Sequence, residues 1–517
     1  MSCRKFITIA AFFVSIYPAS AWSQQSTSLP RSTPEAEGVS ANDINNFIDA
    51  ANQSKNEFHS FMLVRHGKVI AEGWWNPYQA DLKHTLYSCS KSFTATAVGF
   101  AITEKKLSLD DKVTSFFPHQ LPDTVGKYLS ELTVKDVLMM SDGMDPDPSF
   151  AVAGVDSDWV KGFLATRIVN EPGIKFLYNS LGTYMLSAIV QKVTGEKVVD
   201  YLKPRLFEPL GITGEDWETD TKGINTGGWG LRVKTEDMAK FAELFLQKGK
   251  WNGKQIIPAS WIDEASTMKI MQDPSAPQSK KDSSDWLQGY CYQMWRCRYN
   301  AYRGDGAYGQ FMIVMPDQDA VLAITAETAN MQDEINIVWK YLLPGLKANS
   351  LAADDEADAK LKEKIKSLAL PLPAQNPSMT ATQNISGKTY MINQNQMHLK
   401  SIGFNFKGDV CQVKFESDAT SYQFNFGKSK WEYAETNMPR PSLTAAGIEN
   451  TSMTYPAKVA ASYAWTDENT LQLVLRYIES PHTEYFTCHF DGNKLSIEES
   501  KSFNYGKNSV MLEGTEK

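Results

Sequence analysis

In the stretch YSCSKSFTATAVGFAI, residues 87–102, a serine hydroxyl and a lysine ammonium stand three residues apart at the head of an otherwise apolar run. On a helix Ser88 and Lys91 share one face, with Cβ atoms roughly 5–6 Å apart. Phe93, Ala95, Ala97, Val98, Phe100, Ala101 and Ile102 are apolar around most of the circumference, which predicts a central, buried helix. A lysine desolvated at the rim of such a helix has its pKa lowered. It can then take the proton of the neighbouring hydroxyl, as activation of a nucleophile requires. The partial positive charge of the helix N-terminus favours the resulting alkoxide and the later oxyanion. Two other S-x-x-K spacings, Ser2 to Lys5 and Ser266 to Lys269, open no apolar helix. On spacing alone, Ser88 could equally be a helix N-cap.

The elements that must carry this pair can be read around it. Residues 58–75 predict a hairpin, FHSFMLVRH and KVIAEGWW about a turn at Gly67. A second hairpin, QFMIVMP and AVLAITA, turns at Pro316-Asp317, and a helix runs from Gln332 to about Leu342. Helices and loops fill the stretch between Tyr87 and about Met268. Strands at both ends with helices between them predict an α/β domain whose antiparallel sheet is completed by its two termini. DDEADAKLKEKIKS predicts a charged helix and PLPAQNP a linker. From about Ile385 the pattern changes to short alternating strands with turns at Lys407-Gly408-Asp409 and Asp491-Gly492-Asn493. That pattern predicts an all-β meander of about eight strands, a small barrel or sandwich. The division expected is residues 1–21, 22–350, 351–380 and 381–517: leader, catalytic domain, helix with Pro-rich linker, and β domain.

LYSCSKSFTATAVGFAITEKKLSLDDKVTSFFP, LTVKDVLMMSDGMD and EPGIKFLYNSLGTYMLSAIVQKVTG occur in that order. Together they resemble the serine β-lactamase and penicillin-binding-protein superfamily. The likeness is to the branch of class C β-lactamases, D-alanyl-D-alanine carboxypeptidases, esterases and nylon-oligomer hydrolases, and it covers residues 30–345 or so. The resemblance implies Ser88 as nucleophile and Tyr178 as second proton-transfer group. A phenol titrates near 10, but beside an ammonium its phenolate becomes accessible, so Lys91 and Tyr178 are expected to share the base and acid roles. The family's Y-x-N becomes Tyr178-Asn179-Ser180, which puts Ser180 where an asparagine amide usually meets the substrate or the lysine. The third motif, K-T-G or H-x-G, aligns with Gly304-Asp305-Gly306. Ala307 then completes the oxyanion hole with the Ser88 backbone N–H, and an ungapped alignment moves that role to Gly304. Arg303 is the nearest cation, though strand alternation should turn it away from the site.

The rest of the chain narrows the function classes. A net charge of −8 argues against a nucleic-acid partner. MSCRKFITIAAFFVSIYPASA has a basic head, an apolar run and a small-residue end, which predicts a cleavable secretory signal and a periplasmic or secreted protein. No later run is long enough for a membrane-spanning helix. Five cysteines remain beyond Cys3, an odd number and no disulfide framework, although Cys411 and Cys488 could pair. The seven histidines are scattered, so neither metal nor cofactor is expected, and His84 is expected to be structural. Gly304 to Gly309 matches G-x-G-x-x-G, with Glu327 beyond it, but leads into a strand where a dinucleotide site needs a helix. The leading expectation is a serine hydrolase of small esters, amides or peptides working through an acyl-enzyme. The alternatives are a β-lactamase or carboxypeptidase, and a catalytically idle penicillin-binding-like sensor.

Overall fold

The structure is a computed structural model that describes residues 28–154, 157–376, 385–441, 451–452 and 456–517. The expected signal segment and the Ser2–Lys5 pair lie outside the described residues.

Both expected hairpins form and belong to one antiparallel sheet. Its strands are β1 (Glu57–Arg65), β2 (Lys68–Trp74), β3 (Trp295–Arg296), β4 (Tyr302–Gly306), β5 (Gln310–Met315) and β6 (Ala320–Glu327), in the order β2-β1-β6-β5-β4-β3. The first and last hairpins meet at β1 and β6, where Phe61 pairs with Ile324 and Leu63 with Leu322. Strand alternation sends side chains to two cores. Phe61, Leu63 and Ile324 pack with Ile44, Phe47 and Ile48 of helix α1 (Ala41–Gln53). Met62, Val64 and Ala323 pack on the other face with Phe93 of α2 (Ser90–Thr103) and with α4 (Thr235–Leu246), whose Phe241 stacks on Phe93 at 3.9 Å. Every residue of α2 from Ser90 to Ala101 is buried. Helix α3 (Ser180–Thr194) packs alongside it and closes the helical layer.

The charged segment at 355–366 differs from a free linker helix. As α5 (Asp355–Lys366) it lays Ala357 and Leu361, one turn apart, into the core beneath α1, and Lys364 pairs with Asp49 at 2.6 Å. Its charges line the opposite, solvated face.

Beyond residue 385 the strands close into a nine-stranded barrel, one more strand than the meander expected. Its first strand, Thr389–Ile392, pairs antiparallel with its last, Val510–Glu516. With an odd number of strands an up-and-down barrel cannot close antiparallel everywhere, and the seam is the parallel pair Gly427–Ser462 and Lys428–Tyr463. Ile402, Phe404, Val413, Phe424, Leu473, Phe486 and Ile497 fill the interior. Cys411 and Cys488 are separate buried thiols there. Among the described residues, no helix is long and apolar enough to cross a membrane.

Candidate active site

The backbone reaches the Ser88–Lys91 pair through a strained entry. Tyr87 adopts φ +46°, unusual for a bulky residue, and starts a short 3-10 turn, Tyr87–Cys89, that runs into α2. Ser88 is half-buried at this turn, whereas the Lys91 side chain lies beneath it, 1% exposed. Lys91 Nζ donates to Ser88 Oγ at 3.1 Å, to Ser180 Oγ at 2.9 Å and to the Gly228 carbonyl at 2.7 Å. Three acceptors hold the group in place, yet burial lowers its pKa to about 7, against the opposing pull of Asp147 and Asp305. At neutral pH a large fraction of Lys91 is therefore the free amine, poised 3.1 Å from the hydroxyl.

Gly228 is a site residue with no side chain to announce it. A Cβ there would sit 2.8 Å from the Ser180 carbonyl and 3.4 Å from Lys91 Nζ, so only glycine lets the backbone approach this closely. Gly227 and Gly230, at φ +65° and +86°, shape the loop that presents it. The cluster Gly227-Gly228-Trp229-Gly230 is the sequence signal that could have found it.

Tyr178 closes the pocket over the lysine, its ring centre 4.8 Å from Lys91 Nζ and its phenol beside the Ser88 hydroxyl. It stacks on Trp295 at 5.5 Å and, with Phe176 and Tyr290, forms an aromatic wall beside the nucleophile. The expectation of an accessible phenolate is corrected here. Burial first, then the nearby Asp305 carboxylate, push the phenol well above its usual value, so it stays protonated. Of the two, only Lys91 is shifted toward the form that can accept a proton.

The residues that depart from the family pattern have partners of their own. Asn179 is committed to the fold. It is buried as the N-cap of α3, with Oδ1 accepting from the Leu181 and Gly182 amides and Nδ2 donating to Asp142 Oδ2 at 2.7 Å. Asp142 is pushed up to about 6 by its burial. Ser180 takes the place beside Lys91. In β4, a Cβ on Gly304 would lie 2.8 Å from Met312 Cε and 2.9 Å from Ser92 Oγ, so a side chain there would have to displace these two. A Cβ on Gly306 would meet the Leu86 carbonyl at 2.1 Å, so β4 presses against the turn that bears Ser88, with Ala307 next in line.

Arg303, weighed from the sequence as a substrate cation, is committed elsewhere. It is fully buried, donates to the Asp285 carbonyl at 2.8 Å and to Asp305 Oδ2 at 2.8 Å, and lies 4.2 Å from the centre of the Trp286 ring. Its partner two residues on, Asp305, shares its strand face and lies near both Lys91 and Tyr178. The groups that oppose the shift of Lys91 and raise Tyr178 include Asp305, itself paired with Arg303, together with Asp147 and Cys89.

The decoys resolve too. Ser266 bonds the Ile262 carbonyl at the end of a helix while Lys269 pairs with Glu264. His84 is buried between His59, at 3.2 Å, and the Thr85 carbonyl. The glycine-rich stretch from Gly304 leads into strand β5, not a helix. No group of three or more His, Cys, Asp or Glu among the described residues could hold a metal ion.

The Beta-lactamase family model matches residues 53–341, more than half of the chain. A 6-aminohexanoate-dimer hydrolase of Paenarthrobacter ureafaciens is 25% identical over 284 residues, 51% of this chain and 71% of that protein. Other curated relatives are matched over 33% to 62% of their own length. A Bacillus anthracis structure, assigned the name 6-aminohexanoate-dimer hydrolase, aligns at TM-score 0.50 and 19% identity over 60% of this chain and 86% of that one. An octameric penicillin-binding protein homologue from Pyrococcus abyssi aligns at TM-score 0.47 and 16% identity over 91% of this chain and 99% of that one. With its antiparallel sheet, helical layer and Ser–Lys–Tyr cluster, the chain belongs to the β-lactamase family of serine hydrolases.

Proposed function

We propose that the protein hydrolyses small neutral or cationic esters and amides through an acyl-enzyme on Ser88. The observation that carries this is the Lys91 amine, lowered to about 7 and 3.1 Å from the Ser88 hydroxyl. Neutral Lys91 takes the hydroxyl proton as Ser88 Oγ attacks the carbonyl carbon, and the backbone N–H groups of Ser88 and Ala307 receive the oxyanion. The tetrahedral intermediate collapses as the proton passes from Lys91 through Tyr178 to the leaving oxygen or nitrogen. Water, deprotonated by the same lysine, then releases the acyl group and restores Ser88. The aromatic wall of Tyr178, Trp295, Phe176 and Tyr290 suits an apolar acyl chain.

Substrate charge follows from the same residues. β-Lactams and D-alanyl peptides carry a carboxylate beside the scissile bond, and here Gly304 supplies no cation for it while Arg303 is already paired with Asp305. A β-lactamase or carboxypeptidase activity is accordingly the weaker reading. The N-terminal 21 residues support export to the periplasm or medium, tested by sequencing the N-terminus of protein recovered from the host's exterior fractions. The function itself is tested with a fluorophosphonate probe. Label on the Ser88 peptide supports it, and label on another serine, or none, rejects it.

A further inference from the structure

The barrel reaches the catalytic turn through one hairpin. Between barrel strands Thr470–Tyr477 and Thr483–Asp491, residues 478–482 are buried, with Ile478 in the core that includes Phe61 and Leu63 of β1. The Glu479 carbonyl accepts from the Thr85 amide at 3.0 Å, its carboxylate pairs with Arg232 at 3.3 Å, and the Ser480 carbonyl accepts from Tyr78 Oη at 2.9 Å. His482, fully buried, stands at the end of this loop. Its Nδ1 lies 2.8 Å from Glu327 Oε1 at the end of β6, and its Nε2 meets Tyr87 Oη. A carboxylate can only accept, so Nδ1 carries the proton toward Glu327. In the neutral ring Nε2 then accepts from the Tyr87 hydroxyl.

This chain of bonds ends one residue before the nucleophile. A second contact brings it to the other oxyanion donor. Tyr308, which follows Ala307 and is itself left-handed at φ +67°, packs edge-on to Tyr87 at 5.7 Å and to His482 at 5.0 Å. Phe503 of the barrel closes the cluster at 4.6 Å from His482. Each of the two backbone N–H groups assigned to the oxyanion is thus preceded or followed by an aromatic residue in a costly backbone conformation. Both aromatics lean on the same barrel histidine. Such conformations persist only where the surroundings over-determine them, and His482 with Glu327 is what fixes the Tyr87 ring.

We infer that His482 is a positioning residue for the oxyanion hole, so that the barrel completes the hydrolase site from behind. It touches no reacting atom. It acts by holding the backbone on either side of the site, so that the Tyr87–Ser88 and Gly306–Ala307 peptides keep the orientation the oxyanion requires. The inference rests on the proposed acyl-enzyme reading.

The test uses the full chain and a pair of aryl esters that differ only in C=O against C=S. Thiocarbonyl sulfur is larger and a poorer hydrogen-bond acceptor, so an intact oxyanion hole prefers the oxo-ester. Tyr87→Phe and His482→Gln should each lower kcat for the oxo-ester by tenfold to a hundredfold, leave KM within about twofold, and shrink the oxo/thiono ratio in kcat/KM at least fivefold. The double variant should be no worse than the poorer single, because both cut one chain of bonds. His489→Ala, an exposed histidine on the barrel's outer surface, should change nothing. The inference is overturned if folded Tyr87→Phe keeps the wild-type ratio. It is equally overturned if both esters fall together in step with a lowered melting temperature, the mark of a structural role alone. Should His482→Gln not fold, Tyr87→Phe, which removes one oxygen, still decides. Failure of the underlying reading looks different: the wild-type protein itself then takes no label at Ser88.

Discussion

The catalytic pocket and the barrel interior both bury ionisable side chains, and both expel their charge. In the pocket Lys91 falls to about 7, and in the barrel Glu484 is pushed up to about 8 by burial and by the neighbouring Glu499. What differs is the company each group keeps. Lys91 contacts a half-buried hydroxyl with a proton to give, on a turn open to substrate. Glu484 accepts from the Tyr477 phenol at 3.3 Å, among Phe415, Phe486 and Met438. Desolvation alone makes a perturbed group. Desolvation beside a nucleophile makes a reaction, and the two regions separate these effects within one chain.

The sharpest break in that comparison is Ser88→Ala, which should abolish turnover of activated esters while Ser266→Ala does not, measured by p-nitrophenyl ester hydrolysis. Lys91→Ala should follow, slower by about 10²–10⁴-fold, the range for loss of a general base, with the circular dichroism spectrum retained. Next, kcat/KM for a short aryl ester should exceed that for a chromogenic cephalosporin by at least about tenfold. An order of magnitude corresponds to about 1.4 kcal/mol of transition-state binding, less than the roughly 2–5 kcal/mol at stake when one partner of a buried ion pair is missing. Efficient cephalosporin turnover would mean that Gly304 and Asp305 do not set substrate charge.

The smallest effect lies in the barrel. Glu484 binds its proton more tightly folded, about 8, than unfolded, about 4.3. Its contribution to stability is thus complete below the unfolded value and is lost as pH rises through about 8. Glu484→Gln should raise the melting temperature by a few degrees at pH 8.5, little at pH 5, and leave ester hydrolysis unchanged.

How much of this was legible in the sequence follows from the range of the interactions. Ser88, Lys91 and the hairpins rest on spacing within a few residues, and both hairpins stand where the alternation put them. Tyr178 needed the family resemblance, since one phenol among 21 tyrosines has no local signature. The Gly228 carbonyl was hidden because its contribution is a backbone atom. His482 was hidden because its partners Glu327 and Tyr87 lie 155 and 395 residues away along the chain. The barrel's ninth strand escaped because its first and last strands gain a partner only when the sheet closes. Helix α5 was legible as a charged helix, but its docking rests on Ala357 and Leu361 alone, a stripe that the charges mask.

The proposed reaction requires Lys91 to be the neutral base at working pH. The most direct measurement is the pH dependence of the acylation rate of Ser88, followed by stopped flow as the burst of p-nitrophenol. The rate should rise with pH as the ammonium loses its proton, reach half its plateau near pH 7, and stay flat above pH 8.5. A profile that reaches half-maximum only near pH 10, the range of an ordinary lysine or phenol, would contradict it.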